Sequence, residues 1–114
     1  MTNTSGLYNL DKNGKPVPAK SLEQWARQYE EGAGKRIVRQ DYVGKTLVST
    51  VFLAIDHSFG SGPPVLWETM VFPAGIDMED CCKRYTSKAD AVAGHARILA
   101  EVQSLAKKQR GLKS

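Results

Sequence analysis

Cysteine and histidine are scarce in this chain of 114 residues, which contains two of each. Cys81 and Cys82 are adjacent, and neighbouring residues of an extended segment point their Cβ atoms to opposite faces, so we expect no disulfide between them. Reduced cysteines are typical of a reducing compartment, and two are too few for a cysteine zinc site. No signal-like segment opens the sequence, and no apolar run approaches the roughly 18 residues of a membrane span, so we expect a cytosolic protein.

An excess of one charge is absent from most of the sequence. Residues 1–106 carry twelve basic and twelve acidic side chains, and the net charge of +4 comes from the tail alone. The body is therefore neutral, and residues 107–114 form a basic tail. Cations at a solvated helix end complement the helix dipole, while contact with phosphate or an acidic partner is the alternative interpretation.

A phosphate-binding glycine signature of the Rossmann or Walker kind is also missing, because "GSGPP" leads into a strand and not into a helix. Phosphate contacts would then have to come from side chains. Arginine suits that role because its planar fork matches phosphate oxygens. The candidates on the predicted strands are Lys35, Arg36, Arg39, Lys83 and Arg84, although scattered surface arginines are common.

The first third of the chain predicts a hairpin and a helix. Residues 1–20 hold an Asn-Gly turn dipeptide followed by two prolines, which indicates an edge hairpin or an extended arm. In "SLEQWARQYEEG", Ser21 and Gln24 form a capping box, and helical spacing places Trp25 and Tyr29 on an inward face. The glycines that follow end this short helix.

The rest predicts an antiparallel sheet and a long helix. "RIVRQDYVGKTLVSTVFLAI" indicates two strands across a Gly44-Lys45 turn, "VLWETMVFPA" a third and "CCKRYT" a short fourth. The second strand is apolar on both faces near its end, so we expect it in the centre, with one face on the helices and the other against a second subunit.

Ser87 caps the predicted C-terminal helix, and Gly94 within it suggests close approach by a strand or another chain. The expected apolar stripe is Ala91, Val92, His95, Ile98, Leu99, Val102 and Leu105 or Ala106. The fold class is therefore α+β: a single domain over residues 1–114, with a three- to four-stranded antiparallel sheet, a short N-terminal helix and a long C-terminal helix packed on it.

The loop "DHSFGSGPP" offers Asp56, His57, Ser58 and Phe59 at its start. Consecutive residues do not readily form the linear array of a hydrolase triad, so catalysis by this trio is the weakest interpretation. Asp56 can cap the turn through backbone amides while His57 and Phe59 fold onto the sheet edge. Alternatively the loop forms one wall of a binding site, with Phe59 as a stacking face.

Two further polar groups need a partner or a ligand. Glu68 alternates with Leu66 and Met70 on what we expect to be a core face of the third strand, so it either pairs with Arg36, Arg39 or Arg84 or binds ligand ribose hydroxyls or an amino group. A metal site from Asp56, His57, Glu68 and His95 lacks a recurring ligand spacing, and His95 is better explained by packing between helix and sheet.

The stretches "YNLDKNGKPV", "VSTVFLAIDHSFGSGPPVLWETMVF" and "RYTSKADAVAGH" resemble a family of small proteins encoded by bacteriophages and prophages. The chain is also similar to phage nucleotide sponges of the Thoeris anti-defence type 1 kind. That resemblance implies an oligomeric α+β protein that sequesters cyclic ADP-ribose variants made by bacterial TIR enzymes. It implies a location in the host cell cytoplasm.

The function we predict is non-enzymatic sequestration of a cyclic nucleotide immune signal at subunit interfaces by a homo-oligomer, without a cofactor, a metal or a membrane. The alternatives are a phage inhibitor or accessory factor that binds a host protein, a weak nucleic-acid binder acting through the tail, and a small hydrolase built on Asp56, His57 and Glu68. Aromatic faces would hold adenine and arginines the pyrophosphate. The predicted ligand-binding residues are Arg36, Arg39, Asp56, His57, Phe59, Glu68, Phe72, Arg84 and Arg97.

Overall fold

A computed structural model of the chain confirms the α+β fold and describes residues 5–32, 34–58, 62–72 and 82–112, with side chains as far as residue 108. The elements in chain order are β1 (Tyr8–Leu10), β2 (Pro16–Pro18), α1 (Leu22–Glu31), a 3₁₀ turn (Gly34–Arg36), β3 (Ile37–Val43), β4 (Thr46–Phe52), β5 (Trp67–Phe72), β6 (Cys82–Tyr85) and α2 (Lys88–Leu112).

Four strands form one antiparallel sheet in the order β3-β4-β5-β6, so each strand lies beside its neighbour in sequence. β3 and β4 are joined by the predicted two-residue turn, in which Gly44 has a φ of 60° that suits glycine. β4 is central, as expected from its apolar character. β3 and β6 are the two edges.

The first face of the sheet is covered by α2. The register places Val48 beside Val71 and Phe52 beside Trp67, all pointing toward this helix. Val48 and Val71 pack with Ile98 and Val102 of α2, while Phe52 and Trp67 pack with Tyr85 and Ala91. Each large apolar side chain buried there contributes roughly 1.5–3 kcal/mol, which makes the helix–sheet contact the main source of stability.

Gly94 is the point of closest approach between α2 and the sheet. A Cβ built at this position would lie 2.2 Å from the Tyr85 hydroxyl and 2.4 Å from two carbons of its ring. The close approach by a strand that was predicted from a mid-helix glycine is therefore confirmed, with β6 as that strand.

The second face of the sheet points away from α2 and is built of three cross-strand rows. Each row follows from the antiparallel register. The rows are Tyr42, Leu47 and Phe72; Gln40, Ser49, Met70 and Cys82; and Ile37, Val51, Glu68 and Arg84.

The β1–β2 hairpin and α1 lie at one end of the sheet, beyond Phe52. The Tyr8 amide and the Trp25 indole Nε1 both donate to the Ala54 carbonyl, at 2.9 and 3.1 Å. Ala54, two residues beyond the end of β4, has a φ of 65°, which is unusual for alanine and turns the chain away from the strand direction. The hairpin is a separate two-stranded sheet and does not extend the four-stranded one.

Several details differ from the predicted pattern. β4 stops at Phe52 instead of continuing to Ile55, because the chain turns at Ala54. Tyr29 is 41% exposed and not inward, since only the Trp25 side of α1 meets the sheet. Val92 is 48% exposed and lies outside the apolar stripe of α2. Glu68 faces away from α2, so it is not on the core face of β5.

Candidate functional site

A cleft of about 540 Å³ lies between the β1–β2 hairpin, the C-terminal half of α1 and the 3₁₀ turn. Phe52 and Ala54, at the end of β4, contribute to its apolar lining. Its polar lining includes Lys12, Lys35 and Arg36. A cleft of this size with an apolar floor and a few charged groups has the properties of a small-molecule site.

Tyr29 and Arg36 belong to one wall of the cleft, and Trp25 lies behind them outside the lining. The Trp25 and Tyr29 rings stack with their centroids 5.2 Å apart, and the Arg36 guanidinium lies 3.7 Å from the centroid of the Tyr29 ring. Arg36 also donates a hydrogen bond to the Tyr29 carbonyl oxygen. Helical spacing of four residues brings Trp25 and Tyr29 together, and the 3₁₀ turn carries Arg36 back over them.

The tip of the hairpin forms the opposite wall. Asp11 Oδ1 accepts hydrogen bonds from the backbone amides of Asn13 and Lys15 at 2.8 and 2.9 Å. Gly14, with a φ of 80°, donates its amide to the Asp11 carbonyl and tightens the same turn. Lys12, next to Asp11 in this turn, brings a cation to the lining of the same wall.

The predicted pairing of Glu68 is confirmed on the second face of the sheet. Arg84 Nε lies 2.8 Å from Glu68 Oε2, and the antiparallel register of β5 and β6 places the two residues directly opposite each other. The Glu68 side chain is 11% exposed and the Arg84 side chain 44%. Cys82 Sγ donates to the same carboxylate oxygen at 3.5 Å.

A buried hydrogen-bonded array crosses the contact between α2 and the sheet. His95 is fully buried, with Nε2 2.8 Å from Asp41 Oδ2 and Nδ1 2.7 Å from Thr50 Oγ1. Thr50 is bonded to Thr69, and the Tyr85 hydroxyl donates to Thr69 at 3.2 Å. The prediction that His95 packs between helix and sheet is confirmed, although its contact with Asp41 was not foreseen.

A consistent set of directions can be assigned to this array. With Tyr85 donating to Thr69 and each threonine hydroxyl donating along the array, Thr69 donates to Thr50, Thr50 donates to His95 Nδ1, and His95 Nε2–H donates to Asp41. This hydrogen bond is the largest of the influences that lower the pKa of Asp41 below its usual value of 3.8.

The array of acid, histidine and hydroxyl has the chemical order of a hydrolase triad. However, Thr50 has no exposed surface, so a substrate has no access to its hydroxyl in this structure. The arrangement instead fixes α2 on the sheet. Within the part of the chain that is described, no three His, Cys, Asp or Glu side chains are grouped as metal ligands would be.

The start of the "DHSFGSGPP" loop is held by Asp56. Its Oδ1 accepts from the amides of Ser58 and Val65 at 2.8 and 2.9 Å, and Ser58 Oγ donates to Oδ2 at 2.9 Å. The amide of Ser58, followed by that of Val65, holds the pKa of Asp56 below 3.8. Capping of the turn by Asp56 is therefore confirmed, and Phe59 lies outside the described residues.

The predicted ligand-binding residues are spread over the molecule. Arg36 alone among those described lines the cleft, while Arg39 contacts Asp41 at 2.7 Å. Glu68 and Arg84 pair on the second face, Phe72 is 44% exposed at the other end of β5, and Arg97 is exposed on α2. Asp56 and His57 belong to the loop. The described members of the set are not brought together around one ligand-sized space.

Comparison of the chain with protein-family models, with curated proteins and with solved structures gave no match. Over the described residues, neither helix combines the length and the apolar character needed to cross a bilayer. The cleft and the charges around it are therefore the basis for a functional proposal.

Proposed function

We propose that this protein is a non-enzymatic binder that sequesters a nucleotide, with the cleft between the hairpin and α1 as its site. The observation that carries the proposal is the Arg36 guanidinium stacked on Tyr29 beside Lys12 and Lys35. Clustered cations bind phosphates, and the Tyr8 and Phe52 rings in the same lining offer apolar contact to a base, so one cleft offers both halves of nucleotide recognition.

The charges of the cleft favour an anionic ligand. The lining contains three cationic side chains and two carboxylates. The cations are Lys12, Lys35 and Arg36, and the carboxylates are Asp11 and Glu31. The charged side chains of the lining therefore leave an excess of one positive charge. Arg36 is held by a ring face and a carbonyl oxygen, and a phosphate is a stronger partner than either because the hydrogen bond is then between opposite charges.

Sequestration without turnover is supported by the chemistry of the cleft lining, which has no paired nucleophile and base among its residues. The resemblance to phage nucleotide sponges suggests the ligand class, a cyclic ADP-ribose type of signal in the cytoplasm of a host cell. A ligand of that class carries adenine and a pyrophosphate, which match the aromatic and the basic walls.

Isothermal titration calorimetry with cyclic ADP-ribose, ADP-ribose and AMP tests the proposal. We expect Arg36→Ala to weaken nucleotide binding by more than about tenfold, because a charge-assisted hydrogen bond contributes about 1.5–3 kcal/mol. Arg97→Ala is the matched control, since it removes an exposed cation of α2 outside the cleft.

Circular dichroism of each variant should show that the fold is retained. Equal affinity in wild type and Arg36→Ala would contradict the assignment of the cleft. Failure of the wild-type protein to bind any nucleotide of the panel would contradict the proposed function and favour a host protein as the ligand.

A further inference from the structure

The edge strand β3 presents an unpaired side to the solvent. β4 lies on one side of β3, and no strand among the described residues lies on the other. Val43 and Thr46 flank the two-residue turn and therefore form a main-chain hydrogen-bonded pair. Hydrogen-bonded pairs recur at every second residue of an antiparallel ladder, so the amides and carbonyls of Asp41 and Arg39 also point to β4. By alternation, the amides and carbonyls of Gln40 and Tyr42 point outward.

The charges of β3 match those of a second copy of β3 that runs antiparallel to it. β3 reads "IVRQDYV", so antiparallel pairing of two copies about Gln40 places Arg39 opposite Asp41 of the second copy, and Asp41 opposite its Arg39. Opposite charges directly across an antiparallel pair are favourable, and like charges are not. A shift by one residue would remove both matches, so the charges also select the register.

Arg39 and Asp41 pair with each other within the chain, and both keep exposed surface for contacts with a second copy. Arg39 is 54% exposed and Asp41 28%. The contacts of Asp41 with Arg39 and His95 both fall on Oδ2, so Oδ1 remains for an arginine of a second copy. Tyr42, on the second face of the same strand, is 71% exposed and would be partly covered by a neighbouring strand.

We propose that the protein forms a two-fold homodimer by antiparallel pairing of β3 with β3 of a second copy, centred on Gln40. The pairing joins two four-stranded sheets into one of eight strands. Gln40 exchanges both main-chain hydrogen bonds with its equivalent, as a two-fold axis through a hydrogen-bonded pair requires. The partner is a second copy and not another protein because the strand carries the complement of each of its own charges.

The decisive variant is Gln40→Pro, because proline removes the outward amide and is tolerated at an edge position whose N–H faces solvent. Gln40→Ala is the matched control: it loses the same side-chain hydrogen bond to Ser49 but keeps the amide. We expect analytical ultracentrifugation from about 1 μM to about 1 mM to show a dimer for wild type and Gln40→Ala, and a monomer for Gln40→Pro.

Two further readouts are specific to the proposed register. Arg39→Glu places like charges opposite each other and should weaken the dimer by at least about tenfold. The amide of Gln40 should exchange hydrogen slowly at high protein concentration and rapidly at low concentration. A wild-type protein that stays monomeric throughout this range, or a dimer that survives Gln40→Pro, overturns the proposal.

Discussion

The hydrogen-bonded array around His95 gives a prediction about where the fold is most sensitive to loss of a single hydroxyl. Thr50→Val preserves shape but removes the middle of the array. It leaves His95 Nδ1 without a donor and the Thr69 hydroxyl without an acceptor, both in a fully buried site. At about 1–3 kcal/mol for each unsatisfied group, the free energy of unfolding should fall by about 2–6 kcal/mol.

Tyr85→Phe removes the end of the same array and serves as the comparison. Thr69 loses one donor but keeps its own hydrogen bond to Thr50, so the expected loss is about 0.5–1.5 kcal/mol. Urea unfolding of both variants, with equal slopes against urea concentration, measures the difference. If Thr50→Val costs no more than Tyr85→Phe, the proposed direction of the hydrogen bonds is wrong.

Two other predictions follow from the same contact between helix and sheet. Gly94→Ala should lower the free energy of unfolding by about 1–3 kcal/mol despite the better helix propensity of alanine, because the new methyl group overlaps Tyr85; thermal denaturation should show it, and an unchanged midpoint would contradict the close approach. The pKa values of Asp41 and Asp56 are lowered in the folded protein, so their stabilising contribution is present above pH ~4 and is lost as the pH falls through those lowered values. Asp41→Asn should therefore flatten the decline in stability measured by urea unfolding between about pH 4 and pH 2, and an unaltered decline would be inconsistent with the His95 contact.

The local pattern of the sequence was sufficient for most of the fold. Caps are local signals, and both Ser21 and Ser87 accept the hydrogen bond expected of an N-cap residue. The β3–β4 turn and the central place of β4 followed from glycine and from apolar character. Tyr29 was misplaced because helical spacing gives the face of a helix but not how far the sheet extends beneath it.

The candidate site was harder to predict because it joins distant segments. Lys12, on the hairpin tip, and Lys35, after α1, come together only when the hairpin folds beside the helix. The contact between His95 and Asp41 joins residues 54 positions apart in sequence, so no local spacing pattern could predict it. Glu68 was the informative exception, since a carboxylate among apolar residues of a strand demands a paired charge, and Arg84 supplies it.

Native mass spectrometry is the most direct test of nucleotide sequestration. The protein would be purified from cells in which a TIR enzyme makes its cyclic nucleotide signal, and any small molecule would be released by heat and identified. We expect wild type to carry an intact adenine nucleotide and Arg36→Ala to carry much less. Wild-type protein that is empty under these conditions, or that releases only a cleaved product, would contradict the proposal.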